Sequence, residues 1–172
     1  MNPWTQILDR IWYYLEQGPA SAAVLAAFPA ANRYKYGSSQ LDALAPQNVS
    51  QPVLIVDQTG GKLDLNYSPQ YLWAREEYQI AIWSDSLELA KINELRLLVL
   101  AAIEAGLPDL GVNTVLDVTL RTGIVTLSLD KIERDADGRL MQWRNDFRKS
   151  RQRAGLLELL VTFLIDRDAL SD

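Results

Sequence analysis

Segments with strand periodicity follow one another in this chain more often than they alternate with helices, and that order sets the fold class. The first element is a helix over Pro3 to Gln17, with Asn2 placed to cap it and Pro3 where a missing N–H costs nothing. Trp4, Ile7, Leu8, Ile11, Trp12 and Leu15 recur at helical spacing as one apolar stripe, and Gly18-Pro19 stops it. A short Ala-rich helix, Ser21 to Phe28, follows. Residues 29–51, with Gly37 and two prolines, read as a long loop. Val53-Leu54-Ile55-Val56 is apolar on both parities, so this strand is expected to be covered on both faces. Gln58-Thr59-Gly60-Gly61 reads as a turn into a second strand, Lys62 to Tyr67. Tyr71 to Trp83 is a long strand with Tyr78, Ile80 and Ile82 on one face. Its other face, Trp73, Arg75, Glu77 and Gln79, is expected to be partly wet.

A second long helix begins after Asp85 or Ser86, with Glu88 at capping-box distance from Asp85, and runs to about Ala105. Leu89, Ile92, Leu95, Val99, Ala102 and Ile103 form its buried face, and Gly106 and Pro108 end it. Strands are then expected at Thr114 to Leu120 and Gly123 to Ile132. A charged hairpin or arm follows over 133–155, then a last strand, Leu156 to Ile165. That strand is apolar on both parities; one is expected under the helices and the other under a partner or the chain's own loop. The sum is a single α+β domain over 1–172: a mainly antiparallel mixed sheet with two amphipathic helices packed on one face.

Composition narrows the chemistry. There is no cysteine and no histidine, which removes disulfides, thiol nucleophiles, imidazole metal sites and Ser-His-Asp or Cys-His arrangements. The net charge of −5 argues against sequence-wide binding to nucleic acid or an anionic membrane. Asp9 and Arg10 interrupt the N-terminal apolar run before it reaches signal length. The longest helical apolar stretch, Leu95 to Ile103, holds Arg96 and is about half the roughly 20 residues a membrane span needs. A soluble intracellular chain, or part of a soluble particle, is the expectation.

The strongest local anomaly is Arg139 to Arg153. Arg139, Arg144, Arg148, Lys149, Arg151 and Arg153 stand against one acid, Asp146, so the segment carries +5 and the rest of the chain −10. Trp143 and Phe147 lie among them, after the turn signal Asp135-Ala136-Asp137-Gly138. Three readings stay open: a solvated hairpin or helical turn whose stems cover the sheet edge, an arm that meets an acidic patch on a neighbouring copy, or an arm that meets phosphates and stacks on bases.

The remaining motifs are weak. From Asp130 the calcium-loop positions 3, 6 and 12 are Ile132, Asp135 and Met141, and the match fails. Glu76 and Glu77 point to opposite faces of a strand and make a poor catalytic pair. Gly60-Gly61 lacks the Lys-Ser/Thr of a phosphate loop. Ser38 and Ser39 sit in no nucleophile motif, and Tyr13, Tyr14, Tyr34 and Tyr36 read as packing or interface aromatics. No catalytic, metal or cofactor residue emerges.

The chain from Pro52 onward resembles bacteriophage tail terminator and tail-completion proteins, including the minor tail proteins that cap the tail tube. The residues that carry the likeness are the amphipathic first helix and the Pro-Val-Leu-Ile-Val strand. With them go Tyr78-Gln-Ile-Ala-Ile-Trp-Ser-Asp85 running into the Leu89 to Ile103 helix, Val125-Thr-Leu-Ser-Leu129, the charged Asp-Gly hairpin and the apolar last strand. The likeness is one of element order and includes no catalytic signature. It implies a non-enzymatic structural protein, without cofactor, that forms a ring, usually of six copies, ending tube growth and meeting the head–tail connector. Its partners would be itself, the tail-tube protein and the connector. Its place would be the cytoplasm during assembly, then the virion tail. Arg139, Trp143, Arg144, Phe147, Arg148, Lys149, Arg151 and Arg153 would be the contact element, with the long loop as a second. The length of that loop departs from the family and raises a neck or connector role in place of tube capping. The competing expectations are a nucleic-acid-binding module using 139–153, which salt and Arg-to-Ala changes would weaken, and a carboxylate enzyme, which chelation would silence.

Overall fold

A computed structural model describes residues 2–35, 52–84, 89–127, 132–134, 140–143 and 152–168. Helix α1 (Pro3–Glu16) starts as its sequence dictates: the Asn2 side chain accepts from the Trp4 amide at 3.0 Å, and proline occupies the first turn. Ile7, Leu8, Ile11 and Leu15 are buried on one face, with Trp4 and Trp12 packed half-buried beside them. Tyr14 joins the buried set, whereas Tyr13 stays exposed. Helix α2 (Ser21–Ala27) buries Val24 and delivers Phe28 to the core. Helix α3 (Leu89–Glu104) buries Ile92, Leu95, Val99, Ala102 and Ile103. Leu89, expected on that face, is exposed, because it opens the helix beyond the sheet-facing turns. The residues expected to cap α3 lie outside the described ones.

The sheet has the order β1-β2-β3-β7-β4. Its strands are β1 (Arg33–Lys35), β2 (Val53–Asp64), β3 (Tyr71–Ser84), β4 (Val115–Leu127) and β7 (Gln152–Asp166); β5 (Ile132–Arg134) and β6 (Leu140–Trp143) form a separate two-stranded ribbon. Among the described residues, β1 with β2 is parallel and the other pairs in this sheet are antiparallel. The α+β class and the mainly antiparallel sheet stand, with three helices on one face instead of two. α1 packs on β2, α3 on β3 and β7, and α2 between α1 and α3.

Three expectations about strands need correction. Gln58 to Gly61 is no turn: β2 runs through it, and the extra residue is absorbed as a bulge between Gln58 and Gly60, where Gly60 takes φ +153°. Thr114 to Leu120 and Gly123 to Ile132 are not two strands. Their junction, Arg121 to Gly123, pairs in register with Leu156 to Glu158, so β4 is continuous. The stretch read as a long loop from residue 29 holds a short 3₁₀ turn at Ala30–Asn32 and then β1; its remainder, 36–51, lies outside the described residues.

The core lies between the helices and one face of the sheet. Leu54 and Val56 of β2, Leu72, Ala74, Tyr78, Ile80 and Ile82 of β3, and Leu157, Leu159, Val161, Phe163 and Ile165 of β7 point to it. Trp4 meets Phe163 edge to face, with centroids 6.2 Å apart at 76°. Val53 to Val56 are all buried, as a strand covered on both faces requires. On β7 the second parity is uneven: Leu160 is 9% exposed, while Leu156 and Leu164 are half-buried. Trp73 is half-exposed on that same helix-free face.

Candidate functional site

Arg139, Arg144, Phe147, Arg148, Lys149 and Arg151 lie outside the described residues. Trp143 belongs to β6, where its backbone pairs opposite Ile132, so the ribbon gives the start of the charged segment a hairpin form. Arg153 is part of the sheet, in β7 opposite Ser84 of β3 and Thr126 of β4. The end of the 133–155 arm therefore belongs to a central strand.

The buried polar chemistry sits under α1. Glu76 follows the core-facing parity of β3 and is 8% exposed, while Glu77 faces the other way, as alternation demands. Its carboxylate accepts from the Trp4 indole Nε1 at 2.7 Å and from the Gln58 amide Nε2 at 3.0 Å. A buried charge with two donors of this kind is held, not poised for reaction. Gly61, the residue opposite it on β2, leaves room for it: a Cβ there would lie 2.2 Å from the carboxylate carbon, so a larger residue would displace the carboxylate from its two donors. Two residues on, on the same face, the Tyr78 hydroxyl donates to the Trp4 carbonyl at 3.2 Å. Together these bonds latch the first turn of α1 to the middle of the sheet. Alternation alone placed Glu76 on the core face. Its partners could not be read, since they come from 72 and 18 residues away.

Burial pushes the Tyr78 hydroxyl pKa well up, and the Glu76 charge adds to the effect. Folding therefore favours the neutral phenol. The contribution is complete below the unfolded tyrosine pKa of about 10 and is lost as pH rises toward the folded value. Tyr78→Phe is expected to lose roughly 1 kcal/mol at pH 8 through the missing hydrogen bond. The difference should then move by about 1.4 kcal/mol against wild type at pH 11, one unit above the unfolded pKa, which abolishes or reverses its advantage. Urea unfolding of both proteins at the two pH values measures this. An unchanged difference would remove Tyr78 as the source.

A second cluster braces the outer side of α1. The Arg10 guanidinium lies 5.2 Å from the Tyr13 ring centroid and 5.5 Å from that of Tyr14, and it pairs with the Asp109 carboxylate. The Tyr14 hydroxyl donates to the Asp109 carbonyl at 3.0 Å, and the Gly111 amide donates to Asp109 Oδ1 at 3.0 Å. Hydrogen bonding to Arg10, then to Gly111, holds the Asp109 carboxyl below its usual range; the same contact raises Arg10. Both charges are solvated, so this is a brace of modest strength. Arg33 with Glu16, at 2.9 Å, ties the edge strand β1 to α1 in the same manner.

Among the described residues no group of three acidic side chains could hold a metal ion. No described helix is long and apolar enough to cross a membrane. Among the described residues no helix packs on the other sheet face, where Trp73 and Leu164 are cross-strand partners and Arg75, Glu77, Gln79 and Glu158 stand half-buried between apolar positions. No family model matches this chain, and no curated protein matches it.

Proposed function

We propose that this chain is a structural assembly protein that closes into a homo-oligomeric ring, as a phage or prophage tail terminator or completion protein does at the end of a tail tube. The observation that carries the reading is the one-sided sheet. The described helices cover one face, while on the opposite face Val53, Ile55 and Leu160 are buried and Trp73, Arg75, Glu77, Gln79, Glu158 and Leu164 are half-buried, a mixed apolar and charged set that suits a surface meeting protein. The buried polar residues support it as well: Glu76, Tyr78 and Gln58 are spent on holding α1 and are not turned to a cleft. Segregation of charge into a +5 segment and a −10 remainder suits a head-to-tail interface, which joins two different faces of one chain.

Light-scattering mass at low and at moderate salt tests the reading. A defined closed oligomer, alone or on addition of tail-tube protein, is the expected result. A strict monomer under every one of these conditions would overturn it.

A further inference from the structure

The outer edge of β4 has no partner among the described residues. β4 is the last strand of the five-stranded sheet, and β5 and β6, the next strands along the chain, pair with each other and not with it. Leu116, Asp117, Arg121 and Thr122 are exposed there, Leu116 at 53%. The strand is 13 residues long and carries no proline and no lysine, two devices that guard exposed edges. Such an edge is a template for another strand.

Alternation divides the middle of β4 into two rows. Asp117, Thr119 and Arg121 pair with Thr162, Leu160 and Glu158 of β7, so they lie on the sheet face where no described helix packs. Val118 and Leu120 pair with Val161 and Leu159 and pack half-buried against the core. Residues 117–121 are therefore their own complement when read antiparallel about Thr119. Asp117 of each strand falls opposite Arg121 of the other, Val118 opposite Leu120, and Thr119 opposite itself. A centre at Asp117 or Arg121 would set like charges face to face, and a centre at Val118 or Leu120 would break both charge pairs. The two charges are uncommitted. Among the described residues neither stands in an ion pair, and Asp117 accepts from the Thr119 hydroxyl at 3.2 Å. Opposed residues of an antiparallel pair share a face, so the Val118–Leu120 contacts would extend the apolar layer beneath the helices of both copies.

We infer that a second copy of this chain docks on the β4 edge about a two-fold axis at Thr119, pairing residues 117–121 of the two copies antiparallel and joining their sheets edge to edge. The same patch serves both copies, so the contact makes pairs. Leu116, at the bulge between Val115 and Asp117, comes beside Thr122 at either end and loses exposure. The inference goes beyond the ring reading and does not rest on it, since a ring needs a further, head-to-tail contact.

The chain has no cysteine, so a single introduced one reports on its own surroundings. Thr119→Cys places a thiol on the axis, where directly opposed residues fall within disulfide reach. Mild oxidation is expected to give a disulfide-linked pair, whereas Leu97→Cys, on α3 at 64% exposure, should not. Arg121→Asp sets acids opposite each other at both ends and should weaken pairing by about tenfold or more in sedimentation; adding Asp117→Arg to it should restore pairing. Cross-linking of Thr119→Cys no faster than that of Leu97→Cys would overturn the inference, as would an Arg121→Asp protein that pairs as well as wild type. A ring found in either case would leave the ring reading standing. A cross-linked pair with no larger assembly, even with tail-tube protein, would support this contact and count against the ring.

Discussion

Gly106→Ala is expected to destabilise the protein by about 2–3 kcal/mol, the upper range for forcing extra volume into a packed site. A Cβ at this position would fall 2.1 Å from Tyr14 Cδ2 and 2.2 Å from its Cγ. These are atoms of a buried ring near its base, not the tip of a flexible side chain. The ring has little freedom to swing away. Its hydroxyl is bonded to the Asp109 carbonyl, and Arg10 lies over it. Relief would require moving α1 away from the end of α3. Chemical denaturation measures the loss, which at this chain length corresponds to a fall in Tm of roughly 2–4 °C per kcal/mol. Tyr14→Ala in the same background should cost less than it does alone, because it removes the clash. A Gly106→Ala protein as stable as wild type would sink this account of the α1–α3 contact.

Glu76→Ala is expected to be comparably severe, at about 1–3 kcal/mol, because it removes the acceptor of two part-buried donors, Trp4 Nε1 and Gln58 Nε2. Glu76→Gln should be milder: it keeps an acceptor for one donor and turns an amide toward the other. The diagnostic is a double-mutant cycle with Trp4→Phe, which should show coupling of about 1–2 kcal/mol between the two sites. Additive losses would mean that the indole–carboxylate bond contributes nothing to fastening the helix.

Where local chemistry and tertiary structure agree, the fold was legible. The α1 stripe, the α3 face from Ile92 to Ile103 and the alternation of β3 all depend on neighbours within a few residues, and all appear as expected. The failures come from pairing over long distances. Gln58-Thr59-Gly60-Gly61 has turn chemistry, yet eleven antiparallel pairs with β3 carry the strand through it as a bulge. Arg121-Thr122-Gly123 breaks the apolar pattern of β4 because it lies at an exposed edge, where polarity is compatible with pairing. Arg33-Tyr34-Lys35 shows no strand pattern at all; its three residues are recruited by β2 and by ion pairs to α1. The role of Glu76 was hidden for the same reason, since a carboxylate in a strand reveals nothing of an indole on a distant helix. Of the eight basic and aromatic contact candidates, only Trp143 and Arg153 fall on described strands.

The position of β7 bears on when this protein can fold. It follows every other strand in the chain, yet it lies in the sheet's interior, between β3 and β4. During synthesis β3 and β4 therefore wait unjoined until residues 152–166 leave the ribosome, and Phe163, the partner of Trp4, arrives with them. The first helix made is seated by one of the last strands made. Such a topology closes its largest loops before its main contacts form, so folding is slow. Until β7 inserts, β3 and β4 each lack the neighbour they share and present an unpaired side to solvent.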